Sequence, residues 1–408
     1  MRTLATTESN PTTESDPTTE SDPTTGSDPT TESDPTTEPT TEPDTAAAGR
    51  ASRRPSLTTD TLTILRRTAV TVWALALLYW FFRVGITFDR NTLLIYVCAG
   101  LLAASIGRRG VLSVARDWLP FGAVLVAYDL SRGAAERLGR PTEWRLQLDF
   151  DRWLFGADPA VWLQARLKEP FPPWWETGVS LIYVSYFLAP PVVAGLLWLR
   201  DRVAWRRFAA QFVAISVIGL AGFIAFPAAP PWAASQCTAQ DVAGGPSDPP
   251  CINAKVGTLT TGGLLEPMST HQGGAAPYVE RIATRGWNKL GIPQAKALID
   301  EGQAGSNQVA AVPSLHAAIS ALLSVFFWPR VQRRWRPLLA LYAVGMGFAL
   351  VYSAEHYVFD ILLGWLLTGV VVAVFGRWER ARSRRRPGAD TKPVVATDTL
   401  TPGVPTRS

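Results

Sequence analysis

Histidine occurs only three times in the 408 residues, so the positions it takes are informative. His316 lies in Val312-Pro313-Ser314-Leu315-His316, immediately ahead of an apolar run, and Ser314 has the chemistry of a helix N-cap. That places His316 in a first helical turn, where free backbone N–H groups and the helix dipole favour an anion such as a phosphate. His356 heads the last apolar run, and Asp360 follows it by four residues, on the same face of a helix one turn along. A carboxylate that accepts from one imidazole nitrogen fixes the tautomer and leaves the other nitrogen free as nucleophile or base. Asp360 also interrupts the apolar sequence Val-Phe-Asp-Ile-Leu-Leu, where an ionisable group is costly and points to function. Taken singly, each histidine reads as an interfacial polar residue. Together the two imidazoles and the carboxylate can divide a phosphoryl transfer: one imidazole attacks phosphorus, the other protonates the leaving oxygen, and the acid orients the attacker, with a phosphate docked at the helix start that Ser314 caps. His271, in a Gly-rich stretch, reads as an ordinary loop residue.

The elements that must position these groups are apolar. Runs near bilayer length fall at about 68–87, 91–107, 111–131, 174–199, 207–226, 309–328, 337–353 and 356–376, the second and seventh being short. The expectation is an all-α, polytopic transmembrane helical bundle of about 6–8 spans. Arg66 and Arg67, Arg108 and Arg109, the Arg200–Arg207 group, the Arg330–Arg336 group and the arginines from Arg377 to Arg386 fall on alternate connections. Those connections are expected to be cytoplasmic, which puts both termini inside and the loops 132–173 and 227–308 outside. The spans carrying His316 and His356 then run in the same direction, and both histidines reach the outer face of a multi-pass cell-membrane protein.

Composition agrees. The first 50 residues hold 11 acidic and 2 basic residues, leaving 37 basic and 23 acidic in the rest, so the net charge of +5 conceals an acidic arm on a basic body. Residues 6–43 repeat a Thr-Thr-Glu-Ser-Asp-Pro theme that offers no apolar face to pack, and the tail 1–60 that contains them is expected to be disordered. With no apolar h-region ahead of the run near Thr68, this arm does not read as a signal peptide. Residues 61–380 form the membrane domain, and 381–408 a disordered basic cytoplasmic tail. A soluble globular enzyme is excluded, and the pI of about 9.2 follows from loop arginines rather than from nucleic-acid binding. Cys98 sits inside an apolar span as a small hydrophobe. Cys237 and Cys251 flank a Gly/Pro-rich stretch of the outer loop, where a disulfide and two free thiols are both open outcomes. The loop 132–173 mixes apolar and charged residues at helical spacing, as an interfacial amphipathic helix does. Asp149 and Asp151 within it could hold a metal and a sugar phosphate, or simply form a solvated face.

Pro313-Ser314-x-His316 followed by His356-x-x-x-Asp360 resembles the second and third signature motifs of the type 2 phosphatidic acid phosphatase superfamily. The branch containing fungal inositol phosphorylceramide synthase is closer, since it shares Pro-Ser-Leu-His, His-Tyr-x-x-Asp and a Phe-Pro-x-Ala-Pro-Pro-Trp segment, here Phe226–Trp232. The resemblance covers roughly residues 120–376. It implies a phosphohistidine at His356, a proton donor at His316, a supporting Asp360, and no metal or other cofactor. It implies a membrane phospholipid, polyprenyl or sphingolipid-type phosphate as substrate and a polyol such as inositol, or water, as acceptor, with no nucleic acid involved. Two phosphate-clamping motifs of the phosphatases are incomplete. Arg140-Pro141 is present, but Gly133 stands where a lysine is expected, and Ala349 and Leu350 stand where Ser-Arg is expected. Arg132, at the outer end of the third span, is the leading candidate for the missing cation, against a purely snorkelling role.

Two other readings compete with a lipid phosphatase or phosphotransferase: a metal-dependent membrane glycosyltransferase acting through Asp149 and Asp151, and a non-catalytic transporter, for which no internal repeat is visible. Because the acidic repeats have nothing to pack, deleting residues 1–50 is expected to leave insertion and intrinsic rate nearly unchanged. Turnover per correctly inserted molecule of the truncated protein checks this.

Overall fold

The computed structural model describes residues 59–84, 90–131, 134–253, 262–291 and 308–384. The acidic repeats, Arg132 and most of the basic C-terminal tail lie outside them. Regular structure among the described residues is helical, supplemented by isolated β-bridges. The chain runs α1 (Thr59–Val84), α2 (Arg90–Ser105), α3 (Val111–Ser131), α4 (Ala134–Arg137), α5 (Leu146–Phe155), α6 (Pro159–Leu167), α7 (Trp174–Arg200) and α8 (Arg202–Ala225). It continues through α9 (Pro231–Ala234), α10 (Gly286–Lys289), α11 (Leu315–Phe327), α12 (Arg336–Tyr352) and α13 (Val358–Arg384). Among the described residues eight apolar helices thus match the eight expected spans, and six of them contain stretches long and apolar enough to cross a membrane. Val72, Leu119, Leu130, Leu341 and Leu366 stand exposed on their outer faces, as lipid-facing side chains do.

Three boundaries depart from the sequence reading. The first helix starts at Thr59, inside the expected tail, with Asp60 in its first turn complementing the dipole. The last runs on to Arg384, so the basic tail set at 381 begins as helix, with Arg382 and Arg384 in its final turn. The short spans are the second, as expected, and the sixth in place of the seventh. Although the apolar sequence begins near Val309, α11 has only 13 residues because Pro313 and the Ser314 cap delay its start. The preceding residues are not helical but bridge to Ala228: Ala228 N–H donates to Val309 O at 2.8 Å and Ala311 N–H to Ala228 O at 3.3 Å. The seventh span is lengthened by a 3₁₀ turn, so that Arg333–Tyr352 forms a 20-residue stretch.

The amphipathic connection between α4 and α7 folds into two helices. Glu143 Oε1 accepts from the N–H groups of Arg145 and Leu146 ahead of α5, and Gly156, at φ 72°, ends it. Asp158 caps α6, accepting from Val161 N–H at 3.0 Å, and Pro159 takes its first position. The α5 helix buries Gln147, Leu148 and Asp151 and exposes Leu146, Trp153, Leu154 and Phe155, an apolar face suited to an interfacial site.

The parallel pair α11 and α13 positions the two histidines, His316 in the first turn of α11 and His356 two residues ahead of α13. A Cβ on Gly364 would lie 2.4 Å from the Ser314 carbonyl oxygen, so only glycine allows the backbones this close. One turn to either side the same face is hydrogen-bonded: Ser314 N–H donates to Asp360 O at 3.0 Å, and Thr368 Oγ1 donates to Ala318 O at 2.7 Å. On its other side α11 leans on α8, where a Cβ on Gly219 would meet Leu315 and one on Gly222 would meet Pro313. Asp151 of α5 then caps α13 from outside its own sequence, taking the N–H groups of Val358 and Phe359 at 2.8 and 3.0 Å.

Gly364→Ala is therefore expected to force α11 and α13 apart, at a cost of about 1–3 kcal/mol, lowering the melting temperature in detergent and the activity together. Gly369→Ala, with nothing within 4 Å of the new Cβ, is the control expected to change neither. Burial pushes the Asp151 carboxyl up to about 7, against the two backbone N–H bonds that pull it down. Its folded value exceeds its unfolded one, so the folded state holds the extra proton between about 4 and 7. The difference in stability between wild type and Asp151→Asn is thus expected to shift in favour of wild type as pH falls from about 7 towards about 4, read as melting temperature against pH.

Candidate active site

Ser314 caps α11 as expected, its Oγ accepting from Ala317 N–H at 3.3 Å, and this sets His316 in the first turn. The imidazole meets three rings of α7: Tyr183 stacks on it at 5.1 Å between ring centres, Tyr186 lies at 4.0 Å, and Phe187 meets it edge-on at 5.8 Å. This aromatic wall fixes the plane of the ring. Its Nε2 is shielded from solvent and has no hydrogen-bond partner among the described residues, an exception of a kind native interiors rarely keep without a use.

His356 ends the tight connection from α12 to α13. Its ring centre lies 5.7 Å from that of His316, and its Nδ1 lies 3.3 Å from Asp360 Oδ2. The same oxygen accepts from Tyr357 N–H at 3.0 Å, which holds the carboxylate against the imidazole. Asp360 is fully buried, His356 nearly so. The structure thus brings Ser314, His316, His356 and Asp360 to one end of the α11–α13 pair. Two imidazoles at this separation can reach one phosphoryl group from opposite sides.

Other expected residues fall elsewhere. His271 is exposed, its backbone N–H tied to Ala165 O at 2.9 Å. Asp149 is exposed while Asp151 is buried beneath α13 with both oxygens engaged by backbone N–H groups, so the pair does not form one ligand set. Among the described residues no group of three His, Cys, Asp or Glu side chains is arranged to hold a metal ion. Cys237 and Cys251 form a disulfide with Cα atoms 5.3 Å apart, within a buried cluster that includes Trp144, Trp232 and Tyr357. Cys98 is half-buried with a free thiol.

The sequence reading did not single out a layer of polar residues outside the histidines. Glu355, next to His356, forms a two-pronged ion pair with Arg281, whose Nε and terminal nitrogen donate at 2.9 and 2.8 Å. The Arg281 guanidinium lies over the Trp232 ring at 4.7 Å, and Trp232 N–H donates to Ala354 O at 3.0 Å. Glu355 was visible by adjacency to His356. Arg281 carries no spacing signal, because the loop that brings it to the site folds back through contacts distant in sequence.

A family model described as the PAP2 superfamily matches residues 147–374, over half of the chain and spanning both histidines. A phosphoinositol dihydroceramide synthase of Bacteroides thetaiotaomicron is 26% identical over 253 residues, covering 60% of this chain and 71% of that protein. No solved structure matches the chain. With a matched region that contains every element assembled around His316 and His356, and with six helices able to cross a membrane, the chain belongs to the PAP2 superfamily and is a multi-pass membrane enzyme of the lipid phosphatase and phosphotransferase kind.

Proposed function

We propose that the enzyme transfers or hydrolyses a phosphoryl-containing lipid headgroup at the outer leaflet through a phosphohistidine on His356. The observation that carries this reading is the pair of imidazoles 5.7 Å apart, one of them oriented by a buried carboxylate. With Asp360 on the Nδ1 side, the Nε2 lone pair of His356 is the attacking group. In the first half-reaction a bond forms from Nε2 to phosphorus while the bond from phosphorus to the leaving oxygen breaks, and His316 gives that oxygen its proton. In the second, an acceptor hydroxyl loses its proton to His316 as its oxygen attacks phosphorus, and the nitrogen–phosphorus bond breaks to regenerate His356. Asp360 stabilises the positive charge on the substituted imidazole. Ser314 and Arg132 are proposed to contact the substrate phosphate.

Water as acceptor makes the enzyme a phosphatase; an alcohol makes it a transferase. The Bacteroides relative is named for a product that joins phosphoinositol to dihydroceramide. That name supports a phosphoinositol-type group and a sphingolipid-type partner here, alongside phospholipid or polyprenyl phosphate donors and a polyol acceptor. The alternating arginine-rich connections support cytoplasmic termini and an outward-facing site. A glycosyltransferase acting through Asp149 and Asp151 has weaker support, because the two carboxylates do not face one site.

The two histidines are expected to fail differently. His356→Ala should lose the acid-labile phosphoenzyme and turnover of every substrate, by at least about a thousandfold. His316→Ala should lose phosphatidylinositol turnover but keep release of an activated aryl leaving group, which departs without a proton. Asp360→Asn should fall between them. Rates and labelling in detergent, with and without EDTA, check this. Labelling that persists in His356→Ala and vanishes in His316→Ala would reverse the roles, and activity lost to EDTA and restored by Mg²⁺ would favour a metal-dependent reaction.

A further inference from the structure

The end of the bundle away from the histidines carries a charged cluster that the reaction does not use. The connection from α2 to α3 turns at Gly107, at φ 71°, and Arg109 N–H donates to Ser105 O at 3.0 Å. From there the Arg109 guanidinium lies over the Trp198 ring of α7 at 4.4 Å. Arg202, the first residue of α8, approaches the same ring at 5.2 Å and the Trp205 ring at 4.5 Å. Trp198 is fully buried, so two guanidiniums share one indole.

One carboxylate answers them. Asp117 of α3 accepts from Trp198 Nε1 at 2.9 Å and pairs with Arg202 through the same oxygen. Asp201, the acid nearest to Arg202 in sequence, is engaged in capping α8, where it accepts from Val203 and Ala204 N–H at 3.1 and 3.0 Å. Among the described residues no acceptor meets the side-chain N–H groups of Arg109, nor Arg202 Nη1, nor Nε1 of the buried Trp205. Partial burial and the Arg202 charge, with Asp117 opposing, hold the Arg109 guanidinium below its ordinary value. The first turn of α3 has no acidic residue, so the positive end of its dipole adds to the excess. Two guanidiniums beside one carboxylate leave one positive charge without a counterpart.

The place of the cluster in the membrane says what kind of anion fits. Leu315 and Pro313, next to His316, pack on Gly219 and Gly222 near the end of α8, whereas Arg202 begins that helix. The separation along α8 is about 25 Å, close to the thickness of a hydrocarbon core, which puts the cluster at the opposite membrane edge. Val111, Leu112 and Leu119 of α3 stand exposed there, as lipid-facing side chains do. An anion whose charged group meets Arg109 while its chains lie along α3 is a phospholipid.

We propose that Arg109 and Arg202, stacked on Trp198, form a site for the phosphate of an anionic phospholipid at the membrane edge opposite the histidines. Arg109 makes the main contact, and Arg202 stays on Asp117 as a second positive charge. The lipid supplies the missing counter-charge and ties the α2–α3 connection to the start of α8. The site is independent of the phosphohistidine reading, and its test needs no turnover.

The purified full-length protein in detergent, at about 0.15 M salt, is titrated with phosphatidylglycerol, with phosphatidylcholine of the same chains and with inorganic phosphate. Bound lipid is read by native mass spectrometry, and stability as melting temperature. Wild type is expected to bind phosphatidylglycerol at least about tenfold more tightly than phosphatidylcholine and to melt higher with it, inorganic phosphate doing neither. Arg109→Gln is expected to lose that preference. Arg108→Gln removes the same charge from an exposed position one residue away and is expected to keep affinity within about threefold of wild type. Wild type without the preference would overturn the proposal, and so would a preference that survives in Arg109→Gln, which is lipid held elsewhere. Equal losses in Arg108→Gln and Arg109→Gln would mean surface charge alone, and inorganic phosphate matching phosphatidylglycerol would mean a free-anion site; either counts against. If Arg109→Gln does not fold, Arg109→Lys decides: it keeps the charge but not the planar fork, and is expected to bind phosphatidylglycerol at least about threefold more weakly, with equal affinity counting against.

Discussion

The contact on which the site depends is the backbone approach of α13 to the start of α11 at Gly364. A single Cβ there would collide with the Ser314 carbonyl, and Ser314 is the residue that caps the helix carrying His316. The face of α13 that makes this contact, Asp360, Gly364 and Thr368, is spaced by one turn each. Asp360 thus serves twice: its carbonyl receives the Ser314 amide while its carboxylate orients His356. The distance between the histidines is set by backbone proximity and not by any direct bond between them. A membrane interior favours this solution, because small residues let helices associate where apolar burial supplies no preference for protein over lipid.

Around that pair the connections ahead of α7 and after α8 fold as a second layer. Its buried polar groups are linked in chains: Tyr352 OH donates to Glu176 at 2.6 Å, Arg285 pairs with Glu176 at 3.2 Å, and Lys168 pairs with Glu280 at 3.0 Å. Burial pushes the Lys168 ammonium below its ordinary value, with Glu280 opposing. Buried ion pairs of this sort add little net stability, since desolvation offsets most of the attraction, but they tolerate few alternative arrangements. Here they fix the register of loops that an apolar contact would let slide. The disulfide between Cys237 and Cys251 ties another part of the same layer, closing a 14-residue separation beside Trp232.

The Asp151 cap joins the two layers. Its helix, α5, belongs to the connection between α4 and α7, yet its carboxylate supplies the acceptors that the first turn of α13 lacks. The helix carrying Asp360 is therefore held at its start by a residue of α5 and along its length by α11. The geometry at His356 depends on both.

The sequence by itself determined the all-α membrane class, the eight apolar helices to within a few residues at most ends, the Ser314 cap and the pairing of His356 with Asp360. These are local properties, set by hydropathy over a span, by one capping side chain and by a spacing of four on a helix. It was misleading where local apolarity competed with a tertiary demand. Val309 to Ala311 read as membrane helix but bridge to Ala228, and the Asp149–Asp151 motif splits because only one of its members meets the end of α13. What the tertiary structure alone decided is the company the histidines keep: the aromatic wall from α7, the glycine contact, and the Arg281–Glu355 pair over Trp232. Each joins segments about 50 to 130 residues apart, and no rule of spacing reaches that far, because the loops between them are placed by packing and by buried hydrogen bonds.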